Sequence, residues 1–145
     1  MFEVYLDLQK DKLDTENLNL YGTHSYVKKS CESAGYQYRK KGRTRNVLIM
    51  SGGRGIPIAI GVIQSGNHND LYRIVSQFSN MIKLLKRSGI TVQNSILNAD
   101  KGFDSKNLRR ACRRRNIEPN VKENIRNRKY PKRGRKRFFN KNVCK

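Results

Sequence analysis

The amino-acid sequence predicts an α/β protein built on a mixed sheet with crossover helices. Three observations carry that expectation. Two β-rich runs, Asn46 to Ser51 and Ile56 to Ile63, flank Gly52-Gly53-Arg54-Gly55, a turn-forming stretch that joins them as a hairpin. Leu71, Ile74, Val75, Phe78, Ile82 and Leu85 recur at the three- and four-residue spacing of an amphipathic helix. A short apolar run, Ser95 to Ala99, then precedes a second helical segment. Strands alternating with helices require crossover connections, which is the α/β pattern. A length of 145 residues suits one domain, and 35 Ile, Leu, Val and Phe residues supply a modest core.

Along the chain, residues 2–13 place Phe2, Tyr5, Leu6 and Leu13 near one helical face with no capping residue before them. After the turn at Asp14 to Asn17, Leu18 and Leu20 alternate with Asn and suit a short strand ending near Tyr21. Residues 22–44 are polar and glycine-punctuated, hence irregular. Beyond the hairpin, Asn69 is placed to cap the long helix and Gly89 to stop it. Ser95 to Ala99 reads as a buried strand that delivers Asp100 at its end. Ser105 opens a helix through Arg115, with Leu108, Ala111 and Cys112 inward and its five arginines largely outward. A brief strand over residues 117–122 follows. From Arg126 there are ten Lys and Arg and no acid, so residues 1–125 are expected to form the domain and 126–145 a basic, disordered segment.

Thirty-two Lys and Arg oppose 11 Asp and Glu, a formal net charge of +21. Residues 1–35 hold four basic and six acidic side chains, residues 36–100 ten and two, and residues 101–145 eighteen and three. Basicity builds toward the C-terminus, where an acidic partner should dock. The longest apolar run, residues 56–63, is broken by Pro57 and Gly61 and is far short of a membrane span. The N-terminus lacks the basic start and apolar stretch of a signal peptide, so a soluble, cytoplasmic protein is expected. Cys31, Cys112 and Cys144 are too dispersed for a zinc site and read as reduced thiols.

Five segments stand in one order over residues 13–130: Tyr21-Gly22-Thr23-His24, Lys40-Lys41-Gly42-Arg43, Gly55-Ile56-Pro57, Gly66-Asn67-His68-Asn69-Asp70, and Ala99-Asp100-Lys101-Gly102-Phe103-Asp104-Ser105. Together they resemble the D-G-T-H, K-K-G-R, G-x-P, G-N-x-H-D and A-D-K-G-Y-D-S segments of bacterial insertion-sequence transposases of the DDE type. The resemblance implies an RNase H-like fold, incomplete at both ends, and a family role in DNA transposition by metal-dependent phosphodiester cleavage and strand transfer. It also implies that the first and second catalytic acids sit on neighbouring parallel strands. Tyr21 then occupies the position of the first Asp and Asp100 that of the second, a catalytic metal ligand. The family's third acid, a Glu in a V-x-E-R-x-F-type motif, is not met before Lys145.

Three acids suit this chemistry because two Mg²⁺ or Mn²⁺ ions activate the attacking and leaving oxygens of an in-line displacement and prefer carboxylate oxygens. A phenol with an ordinary pKa of about 10 is neutral at pH 7 and cannot replace a carboxylate. The chain is therefore expected to bind no metal and to be inactive. Its alternative role is that of a non-catalytic basic DNA-binding protein, able to interfere with a full-length transposase by associating with it.

Lys40, Lys41, Arg43, Arg45, Lys101, Arg109 and Arg110 are the expected DNA contacts, set against the ordinary fate of charge runs as solvated surface. Taken alone, Asp100 would be a turn former, and Asp104 is expected to support the cap at Ser105. His68 and Asp70 are expected to organise the entry to the long helix. His24 reads equally as a loop hydrogen-bonder or a substrate contact. Tyr36 and Tyr38 offer rings for stacking on bases, with core or rim packing as the plainer expectation.

Overall fold

The computed structural model describes residues 12–28, 34–125 and 138–143. Seven strands among them form one mixed sheet: β1 (Asn17–Tyr26), β2 (Gly35–Gln37), β3 (Gly42–Gly52), β4 (Pro57–Ile60), β5 (Gln64–Ser65), β6 (Ile96–Ala99) and β7 (Glu118–Val121). Helix α1 (Ile74–Arg87) connects β5 to β6, and α2 (Lys106–Arg113) connects β6 to β7. β1 is central, antiparallel to β3 on one side and parallel to β6 on the other, and β7 continues the parallel half. Along the far edge of β3 the short strands β2, β5 and β4 follow one another. The α/β class and mixed sheet expected from the sequence are present.

Alternation sets the layers. Leu18 and Leu20 on β1 and Leu48 and Met50 on β3 turn to one face and are buried. Phe78, Met81 and Leu85 of α1 and Leu108, Ala111 and Cys112 of α2 belong to the same core. Burial pushes the Cys112 thiol up to about 12, so it stays protonated at pH 7; Cys31 and Cys144 lie outside the described residues. Arg115 clamps the two helices, donating to Ser79 Oγ at 2.9 Å while its guanidinium lies 5.7 Å from the Phe78 ring centre.

The hairpin forms as expected, with Gly55 in the left-handed region (φ 77°) at its turn. Gly89 (φ 66°) ends α1, where the N–H of Ile90 returns to Leu85 O at 2.9 Å and that of Gly89 to Lys86 O at 3.1 Å. Three boundaries differ from expectation. β1 runs on to Tyr26, because every residue from Leu18 to Tyr26 finds a partner on β3. Residues 35–44, expected to be irregular, hold β2, a single 3-10 turn over Tyr38–Lys40 and the start of β3. Helix α1 begins at Ile74, with Asn69 five residues earlier and no side-chain cap at Arg73. The helix predicted over residues 2–13 falls almost wholly outside the described residues. So does most of the basic segment from Arg126, whose residues 138–143 are described and contact the sheet through Asn140.

Arg109 corrects the expectation that the arginines of the second helix point outward. It is 4% exposed. Its guanidinium donates to Asp104 Oδ1 at 2.9 and 3.0 Å and to the carbonyls of Val121 and Pro119 at 2.5 and 3.5 Å. Asp104 also accepts from the Asn124 N–H at 2.9 Å, so it anchors the segment after β7. No side-chain hydrogen bond caps α2 at Ser105. Breaking a buried pair leaves one charge unpaired, so Asp104→Ala is expected to cost about 3 to 5 kcal/mol in urea unfolding. Arg110→Ala, on the exposed side of the same helix, should stay within about 0.5 kcal/mol of the parent.

Candidate functional site

The parallel register of β1 and β6 ends at Leu20↔Ala99. One step further along each chain stand Tyr21 and Asp100, side by side at the carboxyl edge of the two strands. Asp100 keeps an extended backbone and then starts a 3-10 turn over Lys101–Phe103, closed by the Phe103 N–H on Asp100 O at 2.8 Å. Tyr21 is 41% exposed and Asp100 is exposed. Alternation places both on the sheet face opposite the helices, with Asn19 and Asn98 behind them.

Those asparagines belong to a row the sequence reading missed. Asn19, Asn98 and Asn120 are register partners across β1, β6 and β7. Asn120 Nδ2 donates to Asn98 Oδ1 at 2.7 Å, and the Asn140 N–H donates to Asn120 Oδ1 at 2.9 Å. The floor beside Tyr21 and Asp100 is thus polar and neutral. Its signal was an Asn in the same alternate position of three separate strands.

The basic residues divide by what holds them. Lys40 Nζ donates to His24 O at 2.7 Å and lies 5.6 Å from the Tyr26 ring centre, which fixes the tip of the β2–β3 hairpin. Lys41 projects from that tip in the left-handed region (φ 49°) and is exposed. Arg43 is exposed and donates to Ala34 O at 3.3 Å, while Arg45 is half-buried. Lys101 and Arg110 are exposed. Arg109, expected beside them as a DNA contact, is instead committed to Asp104 and the β7 carbonyls. Tyr36 and Tyr38 are 49% and 85% exposed, which places neither in the core.

His24 and Asp70 both lie on the helix-side face, near enough for the carboxylate to act on the ring's charge. Asp70 Oδ1 accepts from Asn46 Nδ2 at 2.8 Å, and its carboxylate lies over Gly22, where a Cβ would come within 2.3 Å of that oxygen. Only glycine permits this approach. Asp70 therefore ties the turn before α1 to the central strands, in addition to leading into the helix. His68 stacks on Tyr72 with ring centres 3.7 Å apart.

No family model and no curated protein sequence matches the chain. Solved structures do. The catalytic domain of Mos1 mariner transposase superimposes with a TM-score of 0.51 at 14% identity, over 81% of this chain and 55% of that one. The Mos1 mariner paired-end complex with Mn gives 0.50 at 16%, over 81% and 39%. The piggyBac transposase synaptic complex with hairpin DNA gives 0.51 at 16%, over 83% and 27%. The chain has the fold of transposase catalytic domains. It spans about half, or less, of the length of the proteins it matches.

Within the transposase fold the metal expected from the resemblance can be tested against the donor set present. Tyr21 and Asp100 together offer one carboxylate and one phenol, and no three His, Cys, Asp or Glu side chains converge among the described residues. This set does not fit a two-ion site of hard oxygen donors. No helix among the described residues is long and apolar enough to cross a membrane.

Burial holds His24 below the usual histidine range, opposed by the Asp70 carboxylate and reinforced by Lys40 and Arg39. Above pH 6.5 the ring is neutral both folded and unfolded. Below it the unfolded chain takes up a proton that the folded chain resists, so this contribution to stability is lost as pH falls from 6.5 toward the folded value. The stability advantage of wild type over His24→Gln, read from urea midpoints, should shrink between about pH 7 and pH 5. A constant difference would contradict it.

Proposed function

We propose that this chain is a DDE-type transposase domain of the bacterial insertion-sequence kind, acting in the cytoplasm, in which DNA binding persists and strand chemistry does not. The observation that supports it is the pairing of Tyr21 with Asp100 at the end of parallel strands, in a fold shared with transposase catalytic domains. The site has the place and one of the three acids of a DDE centre. Substituting a neutral phenol for one of two facing carboxylates removes the charge that would hold Mg²⁺ or Mn²⁺, so these residues do not assemble a cleavage site.

The cations remain. Lys41, Arg43 and Arg45 lie toward one end of the site face, Lys101 directly follows Asp100, and Arg110 is exposed on α2. These groups meet phosphates and carry no sequence preference of their own. Tyr21 also favours a second reading, in which the chain interferes with a full-length transposase by occupying DNA or joining its assemblies.

Duplex DNA affinity should fall steeply with salt, because each phosphate neutralised steepens log K against log salt by about 0.9. Lys41→Gln should flatten that slope by about one such step, whereas Arg109, being buried, contributes none. A supercoiled plasmid incubated with the chain and Mn²⁺ should remain unnicked. Salt-independent binding, or metal-dependent nicking, would overturn the proposal.

A further inference from the structure

The sheet face that carries Tyr21 and Asp100 continues along β1 and β3 to a pair of exposed tyrosines. Register fixes its members: Tyr21 is opposite Ile49, Thr23 opposite Val47, Ser25 opposite Arg45, and Arg43 opposite Tyr36 on β2. All of these side chains share the face turned away from α1 and α2, whose side of β3 is filled by buried Thr44, Asn46, Leu48 and Met50. The Tyr36 and Tyr38 rings brace each other edge to face, with centres 5.2 Å apart and planes at 84°. Tyr38 nevertheless keeps 85% of its surface open.

Two further contacts hold this corner in shape without using the tyrosine faces. Tyr26, on the opposite face, donates its hydroxyl to Lys40 O at 2.9 Å, and its ring packs where a Cβ on Gly42 would come within 2.8 Å. The 3-10 turn that presents Tyr38 is thereby closed against the end of β1, next to Lys41. Between Gly35 and Arg45 there are five cations and no acid.

We infer that Tyr36 and Tyr38, with Arg43 beside them, form a stacking platform for unpaired DNA bases lying on the same face as the Tyr21–Asp100 site. The inference rests on the DNA-binding reading above and adds to it the kind of DNA bound. Ring faces exposed at this level exclude the stacked interior of a duplex, whose base faces are already covered, and suit bases freed from pairing. Surrounding cations of one sign select a polyanion over an apolar partner.

The Val27 N–H donates to Arg43 O at 3.2 Å, which places Tyr36 six residues beyond Tyr21 along the sheet and two strands across. At about 3.4 Å per residue and about 4.8 Å per strand, the separation is about 22 Å. That is the span of roughly six stacked nucleotides at about 3.4 Å each. A strand crossing the Tyr21–Asp100 end of this face would place unpaired bases on the tyrosines at that remove.

The test compares a thymine homopolymer of about 12 nucleotides with a mixed-sequence duplex of equal length, by anisotropy of a labelled strand. Tyr38→Ala removes an exposed ring and should leave folding intact. It should weaken homopolymer binding about tenfold, leave duplex binding within about twofold, and leave the salt slope unchanged, because a ring releases no counterions. Tyr38→Phe, which keeps the stacking surface, should bind as wild type does. Equal losses on both DNAs, or a Phe variant as weak as the Ala variant, would overturn the platform. Duplex binding without homopolymer binding would also overturn it while sparing the DNA-binding reading, whereas binding of neither would end both.

Discussion

The structure depends on one pairing, that of β1 with β6. β1 already has an antiparallel partner in β3, so its other edge would be left with open N–H and C=O groups unless a second strand closed it. Ser95 to Ala99 is a strand of suitable length, and the Ile96 N–H on Glu16 O at 2.8 Å starts the parallel register. Because successive side chains alternate, that register decides two things together. It sends Leu18, Leu20, Leu97 and Ala99 into the core and places Tyr21 next to Asp100 on the other face. A slip of one residue would exchange the two sets.

Around this pairing, the short motifs act mainly as fasteners. Asp70 reaches over Gly22 to Asn46 and so fixes the turn before α1 to the central strands. The pair of Arg109 and Asp104 closes α2 onto β7 and the chain beyond it, which holds Asp100 and its following turn against a rigid neighbour. Residues that the family resemblance marks as one block therefore divide between two tasks. Asp100 faces solvent, and Asp104, four positions on, is spent on structure.

How much of this was legible follows from where the information lies. The hairpin, the end of α1 and the strand before Asp100 were readable because each rests on local patterning: glycine at a turn, glycine in the left-handed region, an apolar run. The extension of β1 to Tyr26 was not, because Thr23, His24 and Ser25 have no hydrophobic alternation and are held by β3, some twenty residues away in sequence. The late start of α1 reflects Asp70 being drawn to a distant asparagine. Arg109 was misplaced because five arginines obscure the face of so short a helix, although its position beside Leu108 and Cys112 marks it as core-flanking. Tyr21 and Asp100 were placed as neighbours by the resemblance, and the parallel register brings them together.

We propose that Tyr21 and Asp100 share one site, which a second carboxylate at position 21 would open to a divalent ion. Thermal melting of Tyr21→Asp with and without Mn²⁺ tests it most directly. Two facing carboxylates repel when empty, so the variant should melt below wild type without metal. Mn²⁺ should then raise its melting temperature, since a ligand at about a hundred times its Kd stabilises the folded state by about 2.7 kcal/mol. Wild type, and the variant carrying Asp100→Asn as well, should not respond. A folded Tyr21→Asp protein whose melting curve Mn²⁺ leaves unmoved would contradict the account.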